Sequence, residues 1–150
     1  MSKVRIGNIA CIVITLVLMV CQFMPFWAVP DSGETASISA YVGFPGEQQA
    51  VGSYLEAETG EGFNINHVVI GPVTIIALGA VGIALCLFRS ANAFCALIPA
   101  AAGCVGAWGY ITQTALQLGS GWGLHLALCV LLIAAAAFTV ICGAKEMTKN

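Results

Sequence analysis

Two histidines and a cluster of acidic residues are the first candidates for chemistry in this chain. His67 and His125 each stand at the start of an apolar segment, and six of the seven acidic residues fall between positions 31 and 61. Imidazole nitrogens and carboxylate oxygens are common ligands of Zn2+. The two histidines belong to separate segments and share no local ligand spacing, so we expect interfacial side chains and predict no metal site.

Cysteine and serine are the candidates for nucleophilic or redox chemistry. All seven cysteines lie within apolar segments, and no Cys-x-x-Cys occurs. Cys95 and Cys104 would point to roughly opposite faces of one helix at ~100° per residue. Gly119-Ser120-Gly121 lacks the strand-to-helix context of a nucleophile elbow. We therefore predict cysteines that serve packing, no catalytic residue and no cofactor.

Gln22 and Gln113 are the polar residues of the apolar segments that could form a binding site. An amide side chain can bond a neighbouring helix or line a small polar site in the membrane. Pumps and transporters usually place an ionisable residue there, and the apolar segments contain no Asp, Glu, Lys or Arg. We expect the two glutamines to hydrogen-bond between helices, with a small polar site in the outer half of the membrane as the alternative.

Four apolar segments are the elements that must position these residues. They cover about 6–29, 67–88, 92–114 and 123–144. The chain is 59% hydrophobic and 8% charged, whereas soluble domains are roughly a quarter charged. A helix needs ~20 apolar residues to cross ~30 Å of hydrocarbon. The sequence predicts an all-α membrane protein, a bundle of four transmembrane helices forming a single domain over 1–150.

The basic residues predict how the chain crosses the membrane. They lie in the two tails and in the turn after the second segment: Lys3, Arg5, Arg89, Lys145 and Lys149. Lys and Arg near spans favour the cytoplasmic side. We therefore expect a multi-pass protein of the cell membrane with both termini in the cytoplasm and residues 30–66 outside. Tryptophan prefers the interface, so Trp27 and Trp122 should mark the outer interface together with the two histidines.

The outer loop, residues 30–66, has a pattern of its own. Apolar and polar residues alternate over Thr35–Phe44, which is typical of a half-buried strand, and Pro45-Gly46 then breaks the pattern. Gln48–Glu58 is a candidate short helix that Gly60 would end. The sequence thus predicts a folded outer loop with a short strand and a candidate short helix.

The layout resembles the claudin-like four-helix membrane proteins. The resemblance covers the topology: four spans, cytoplasmic tails, a large first outer loop with a strand, and Trp27 just beyond the first helix. It implies the four-span fold alone, because residues 30–66 lack the Gly-Leu-Trp and the cysteine pair of the claudin loop. The segment Phe23-Met24-Pro25-Phe26-Trp27 also looks like uncharacterised small bacterial membrane proteins, which implies no activity.

These patterns predict a function without catalysis. We expect a structural or interaction subunit that acts through its acidic outer loop, with membrane lipid, other membrane proteins or its own copies as partners. Nucleic acid is not an expected partner, because the net charge is -2 and no basic run exists. The alternative is a small, oligomeric channel or transporter that uses Gln22 or Gln113 and a helix kink at Pro99.

Overall fold

Four helices make up most of the described part of the chain. The computed structural model describes residues 2–24, 27–28, 35–36, 53, 56–57, 60, 72–112, 117–118 and 121–148. The helices are α1 (Lys3–Cys21), α2 (Thr74–Phe88), α3 (Leu97–Thr112) and α4 (Trp122–Met147), and a 3₁₀ helix over Ala93–Ala96 precedes α3. The predicted all-helical architecture is confirmed at this level.

The first helix ends earlier than the predicted boundary at residue 29. The amides of Gln22, Phe23 and Met24 donate to carbonyl oxygens three residues back, at 3.0–3.3 Å, so the helix tightens and stops. Pro25 follows directly, and a residue before proline disfavours the helical conformation. The apolar pattern continues past this proline, which is why hydropathy alone extends the helix too far.

The third helix also begins differently from its prediction over 92–114. The Oδ1 atom of Asn92 accepts a hydrogen bond from the amide of Phe94 at 3.0 Å, and the 3₁₀ helix follows this cap. Pro99 is therefore in the first turn of α3, where proline is tolerated. The prediction that Pro99 kinks the interior of a long helix is not supported.

The helices pack in a ring with the order α1, α2, α3, α4. Each contacts its two neighbours along this order, α4 closes the ring on α1, and α1 and α3 barely touch. Close approach depends on small residues. A Cβ atom at Gly7 of α1 would stand 2.9 Å from the Cβ of Thr139 in α4, and one at Gly82 of α2 would stand 2.7 Å from the Cδ of Pro99 in α3.

Three two-residue strands join the segments at one end of the bundle. They are β1 (Trp27–Ala28), β2 (Thr35–Ala36) and β3 (Gln117–Leu118), and β1 pairs antiparallel with the other two. We call this end, where α1 and α3 finish and α4 begins, the outer end. The opposite end, with the α2–α3 turn, is the inner end. The predicted strand over 35–44 is not supported beyond this two-residue pairing, and residues 37–44 lie outside the described ranges.

Part of the predicted short helix also falls within the described residues. Ser53, Glu56 and Ala57 are helical and exposed. Gly60 has a φ of 72°, and its amide donates to the carbonyl oxygen of Glu56 at 3.0 Å. This left-handed glycine after a helical turn is the usual way for a helix to end.

Two of the four helices are long and apolar enough to cross a bilayer by themselves. They are α1, with a mean hydropathy of 2.3, and α4, with 2.7; α2 and the segment 93–108 are apolar but shorter. The predicted helix over 67–88 is described only from residue 72 onward. The coarse prediction of membrane-type helices thus has support in two helices, whereas the other two are too short to meet the same criterion.

Candidate functional site

A line of polar side chains runs along the inward face of α1. Asn8, Thr15 and Gln22 are all fully buried. Their seven-residue spacing is within ~20° of two whole helical turns, so they share one face. Of these three residues only Gln22 was a predicted site residue, although the spacing is readable in the sequence.

Asn8 connects α1 to the inner turn between α2 and α3. Its Nδ2 donates to the carbonyl oxygen of Ser90 at 2.9 Å and to that of Asn92 at 3.1 Å. The thiol of Cys86 donates to its Oδ1, with 3.7 Å between sulfur and oxygen. Each polar atom of this amide is therefore bonded, which is the usual condition for burying a polar group. The role of Asn8 is to hold the inner turn in place.

Thr15 lies at mid-height and makes no such bond. Its Oγ1 is buried and has no hydrogen-bond partner within the described ranges. Thr139, in contrast, donates from Oγ1 to the carbonyl oxygen of Ala135 at 2.7 Å, the ordinary solution for a threonine in an apolar helix. An unsatisfied buried hydroxyl destabilises the folded state by about 1–3 kcal/mol. The Thr15 hydroxyl is therefore available to hydrogen-bond a further group.

Gln22 is at the outer end and is only half satisfied. Its Nε2 donates to the carbonyl oxygen of Leu18 at 2.9 Å. Its Oε1 is buried and has no partner among the residues that the structure describes. The predicted hydrogen bond between helices is thus absent for this side chain in the described part, because the amide turns back onto its own helix.

His125 of α4 lies at the same height as Gln22. The close contact of Gly7 with Thr139 sets the register of α1 against α4. From that contact, Gln22 is about 22 Å and His125 about 21 Å toward the outer end, at ~1.5 Å per residue. His125 is 2% exposed, and its Nδ1 lies 3.9 Å from the Sγ of Cys129. We define Gln22, His125 and Cys129 as the outer polar cluster.

The burial of His125 differs from the predicted interfacial position. Buried residues of α4 recur at spacings of three and four along the helix: His125, Leu128, Cys129, Leu132, Ala136, Thr139 and Gly143. His125 is the first member of this inward stripe. The stripe could have been found in the sequence, but the position of His125 at the start of an apolar segment suggested an interfacial side chain instead.

The other predicted site residues have mixed outcomes. Trp122 begins α4 and is exposed, as expected for an interfacial ring. The backbone of Trp27 is in β1, and its side chain is not described. Gln113 and His67 lie outside the described residues, so their proposed roles stay predictions. The structure therefore brings Gln22 and His125, which belonged to two different predicted sites, to the same height.

The chemistry available to the outer polar cluster is limited. Within the described ranges, no group of three His, Cys, Asp or Glu side chains could hold a metal ion. All seven cysteines are free; Cys104 is exposed, Cys142 is half-buried and the others are buried. The cluster offers an amide oxygen, an imidazole and a thiol in an apolar setting, which suits hydrogen bonding. Comparisons with protein-family models, with curated proteins and with solved structures find no match.

Proposed function

We propose that the chain is a multi-pass membrane protein in which all four helices cross the bilayer. The observation that carries this proposal is the reversed placement of polar and apolar residues. Asn8, Thr15, Gln22 and Thr139 are fully buried, whereas large apolar side chains cover the outside of the bundle. Exposed examples from α1, α2 and α4 include Val13, Leu16, Val20, Val81, Leu87, Val130, Leu131, Phe138 and Ile141.

Such a surface is costly in water and suited to lipid. Soluble monomers rarely expose contiguous apolar patches larger than a few hundred Å2. In hydrocarbon the same side chains need no cover, and the polar groups are the ones that must be enclosed. The reversed placement is therefore an argument for membrane insertion that is independent of helix length.

The lengths of the shorter helices are compatible with crossing. The 3₁₀ helix of four residues and α3 of 16 residues are together about 32 Å long at ~2.0 and ~1.5 Å per residue. The 15 residues of α2 account for about 22 Å, and Pro72–Val73 already form a helical turn before them. Together the segment 72–88 reaches about 25 Å, most of the ~30 Å that a span needs.

The ring arrangement supports one orientation of the chain in the membrane. Both β2 and β3 pair with β1, so the segments that follow α1 and α3 meet at the outer end. Lys3, Arg5, Arg89 and Lys145 are at the inner end. The preference of basic residues for the cytoplasm then assigns both termini to the cytoplasm and the outer end to the other side.

We propose that the protein acts as a non-enzymatic structural or interaction subunit through its outer end. The pairing of β1 with β2 and β3 connects the two outer segments, and six of the seven acidic residues belong to the first of them, between positions 31 and 61. The partner would be another membrane protein or a second copy of the chain. The claudin-like topology is part of the same proposal and implies no sealing role.

The experiment is co-purification in a mild detergent. We expect a species larger than the monomer that Glu56→Lys weakens, because Glu56 is exposed and belongs to the acidic segment between β2 and α2. Glu146→Lys is the matched control, since it makes the same charge change at the inner end. A monomer with no partner, or an equal effect of the two substitutions, would contradict the proposal.

A small channel or transporter is the second candidate, favoured by the oxygens of Thr15 and Gln22, which have no hydrogen-bond partner among the described residues. Two such acceptors on one inward face could bind a polar solute in the membrane. Liposome flux tests this directly. Gln22→Leu should abolish any flux, while Val20→Leu, on the lipid-facing side of the same helix, should leave it intact; flux that survives Gln22→Leu excludes this site.

A further inference from the structure

A cavity of about 650 Å3 opens at the inner end of the bundle. Its walls come from three elements: the first turn of α1, the segment 88–94 around the inner turn, and the last turns of α4. The outer polar cluster is at the opposite end of the helices. The cavity is therefore independent of the residues already discussed for the outer surface.

Two arginines give the cavity a positive wall. Arg5 and Arg89 line it and are exposed, and neither guanidinium is within ion-pair distance of a carboxylate in the described part of the chain. Glu146 is the carboxylate among the described lining residues. The lining side chains thus carry one net positive charge, which matches a ligand with one negative charge better than a polyphosphate.

The inner turn that carries Arg89 is held firmly. Asn8 donates to the carbonyl oxygens of Ser90 and Asn92, on the residues that follow Arg89. A fixed turn loses little conformational freedom when it binds a ligand, which favours affinity. The buried amide of Asn8 therefore holds in place a turn that lines the cavity.

Apart from the charged residues and the polar residues Ser90 and Asn92, the lining is apolar and includes both buried and exposed side chains. Val4 and Ala93 are buried, and a Cβ atom at Gly143 would collide with the Cβ of Ala93, so the floor is closed. Phe88 is 87% exposed, and Phe94 and Met147 are also exposed at the edge of the cavity. A ligand that suits these walls has a charged group beside an apolar chain.

The start of α1 strengthens the case for an anion. The first turn of a helix carries positive partial charge and favours acidic residues or bound anions. The first turn of α1 has no acidic residue, and its Arg5 lines the cavity. A cation at this end of a helix is unfavourable unless an anion lies beside it.

We propose that this cavity binds the phosphodiester headgroup of an anionic phospholipid from the cytoplasmic leaflet. The guanidiniums of Arg5 and Arg89 donate hydrogen bonds to the phosphate oxygens, a geometry for which arginine is well suited. The acyl chains leave past Phe88 and Phe94 along the lipid-facing surface. Basic pockets between helices on the cytoplasmic side are known binding sites for lipid headgroups. The inference rests on the proposed membrane placement.

The test is lipid titration of the detergent-purified protein, followed by native mass spectrometry. We expect dioleoyl phosphatidylglycerol to bind at least tenfold more tightly than dioleoyl phosphatidylcholine, which has the same chains and no net charge. Arg5→Gln combined with Arg89→Gln should abolish this preference. Lys3→Gln combined with Lys145→Gln removes the same charge from the same end outside the cavity and should change it less than threefold.

The alternatives give different results. A defined site would be refuted if the unaltered protein showed no preference for phosphatidylglycerol over phosphatidylcholine. It would also be refuted if both double variants lost the preference equally, because that result indicates a general attraction between basic residues and anionic lipid. Displacement of the lipid by millimolar inorganic phosphate would assign the site to free phosphate and overturn the lipid assignment. Arg5→Lys with Arg89→Lys keeps the charge and should retain part of the preference. A negative result for lipid binding would leave the proposed membrane placement intact. Alkaline carbonate extraction tests that placement separately.

Discussion

The hydrogen bonds of Asn8 give the sharpest energetic prediction. Replacing Asn8 by Ala removes two donated bonds, to the carbonyl oxygens of Ser90 and Asn92, and the acceptor of the Cys86 thiol. A hydrogen bond contributes about 0.5–1.5 kcal/mol net, and bonds between transmembrane helices average about 0.6 kcal/mol. We therefore expect Asn8→Ala to lower the free energy of unfolding by about 1–3 kcal/mol, the sum of two donated bonds.

Thr15→Val is the matched comparison on the same face of α1. It removes a buried hydroxyl that has no partner in the described part of the chain and keeps the shape of the side chain. Removing an unsatisfied polar group relieves part of a desolvation cost of about 1–3 kcal/mol. We expect Thr15→Val to leave stability unchanged or to raise it by up to about 1 kcal/mol.

The assay is reversible unfolding in mixed micelles with increasing sodium dodecyl sulfate, followed by circular dichroism. Both variants and the unaltered protein are measured under one condition, so the difference between variants is independent of the extrapolation to zero denaturant. The reasoning would be refuted if Thr15→Val destabilised as much as Asn8→Ala. An effect of Asn8→Ala below about 0.5 kcal/mol, the lower limit for a single bond, would also refute it.

Two further predictions follow from packing and exposure. Gly7→Ile should destabilise the bundle by about 1–3 kcal/mol or more, because the added side chain overpacks against Thr139. At Gly123 an added Cβ meets nothing within 4 Å, so Gly123→Ala should be neutral or slightly stabilising. Thermal unfolding in detergent compares the two variants, and equal effects would contradict the close contact between Gly7 and Thr139. Val130 is on the exposed face of α4, so Val130→Asp should oppose membrane insertion by about 2.5–3.5 kcal/mol. Met147→Asp, at the inner end, should insert normally. Equal insertion of the two variants in a translocation assay would argue against a lipid-facing Val130.

The sequence predicted the helices well because hydrophobicity is a local property. The boundary at Cys21 was missed because hydropathy does not register how Pro25 restricts the residue before it. The start of α3 was missed for a similar reason, since the Asn92 cap and the 3₁₀ turn are matters of local hydrogen bonding. Where a boundary depended on backbone geometry, composition was a poor guide.

The candidate site was predicted less well, because its contacts are long-range. Asn8 bonds carbonyl groups more than 80 positions away along the chain, and backbone carbonyls leave no mark in a sequence. The inner cavity combines Arg5, Arg89 and Glu146 from three elements. The charge pattern predicted the cytoplasmic side of the membrane for the two arginines, but the ring order of the helices was needed to place them on one cavity. The seven-residue spacing of Asn8, Thr15 and Gln22 was visible in the sequence. It predicts only that the three residues share one face of the helix.

The central claim is that a bilayer separates the two ends of this bundle. The most direct measurement introduces Ser53→Cys or Ser90→Cys into a background whose seven native cysteines are replaced by alanine, then applies a membrane-impermeant maleimide to intact cells. We predict that Ser53→Cys, an exposed position in the segment between β2 and α2, is labelled directly and that Ser90→Cys, at the inner turn, is labelled only after permeabilisation. Labelling of both in intact cells, or the opposite pattern, would contradict the account.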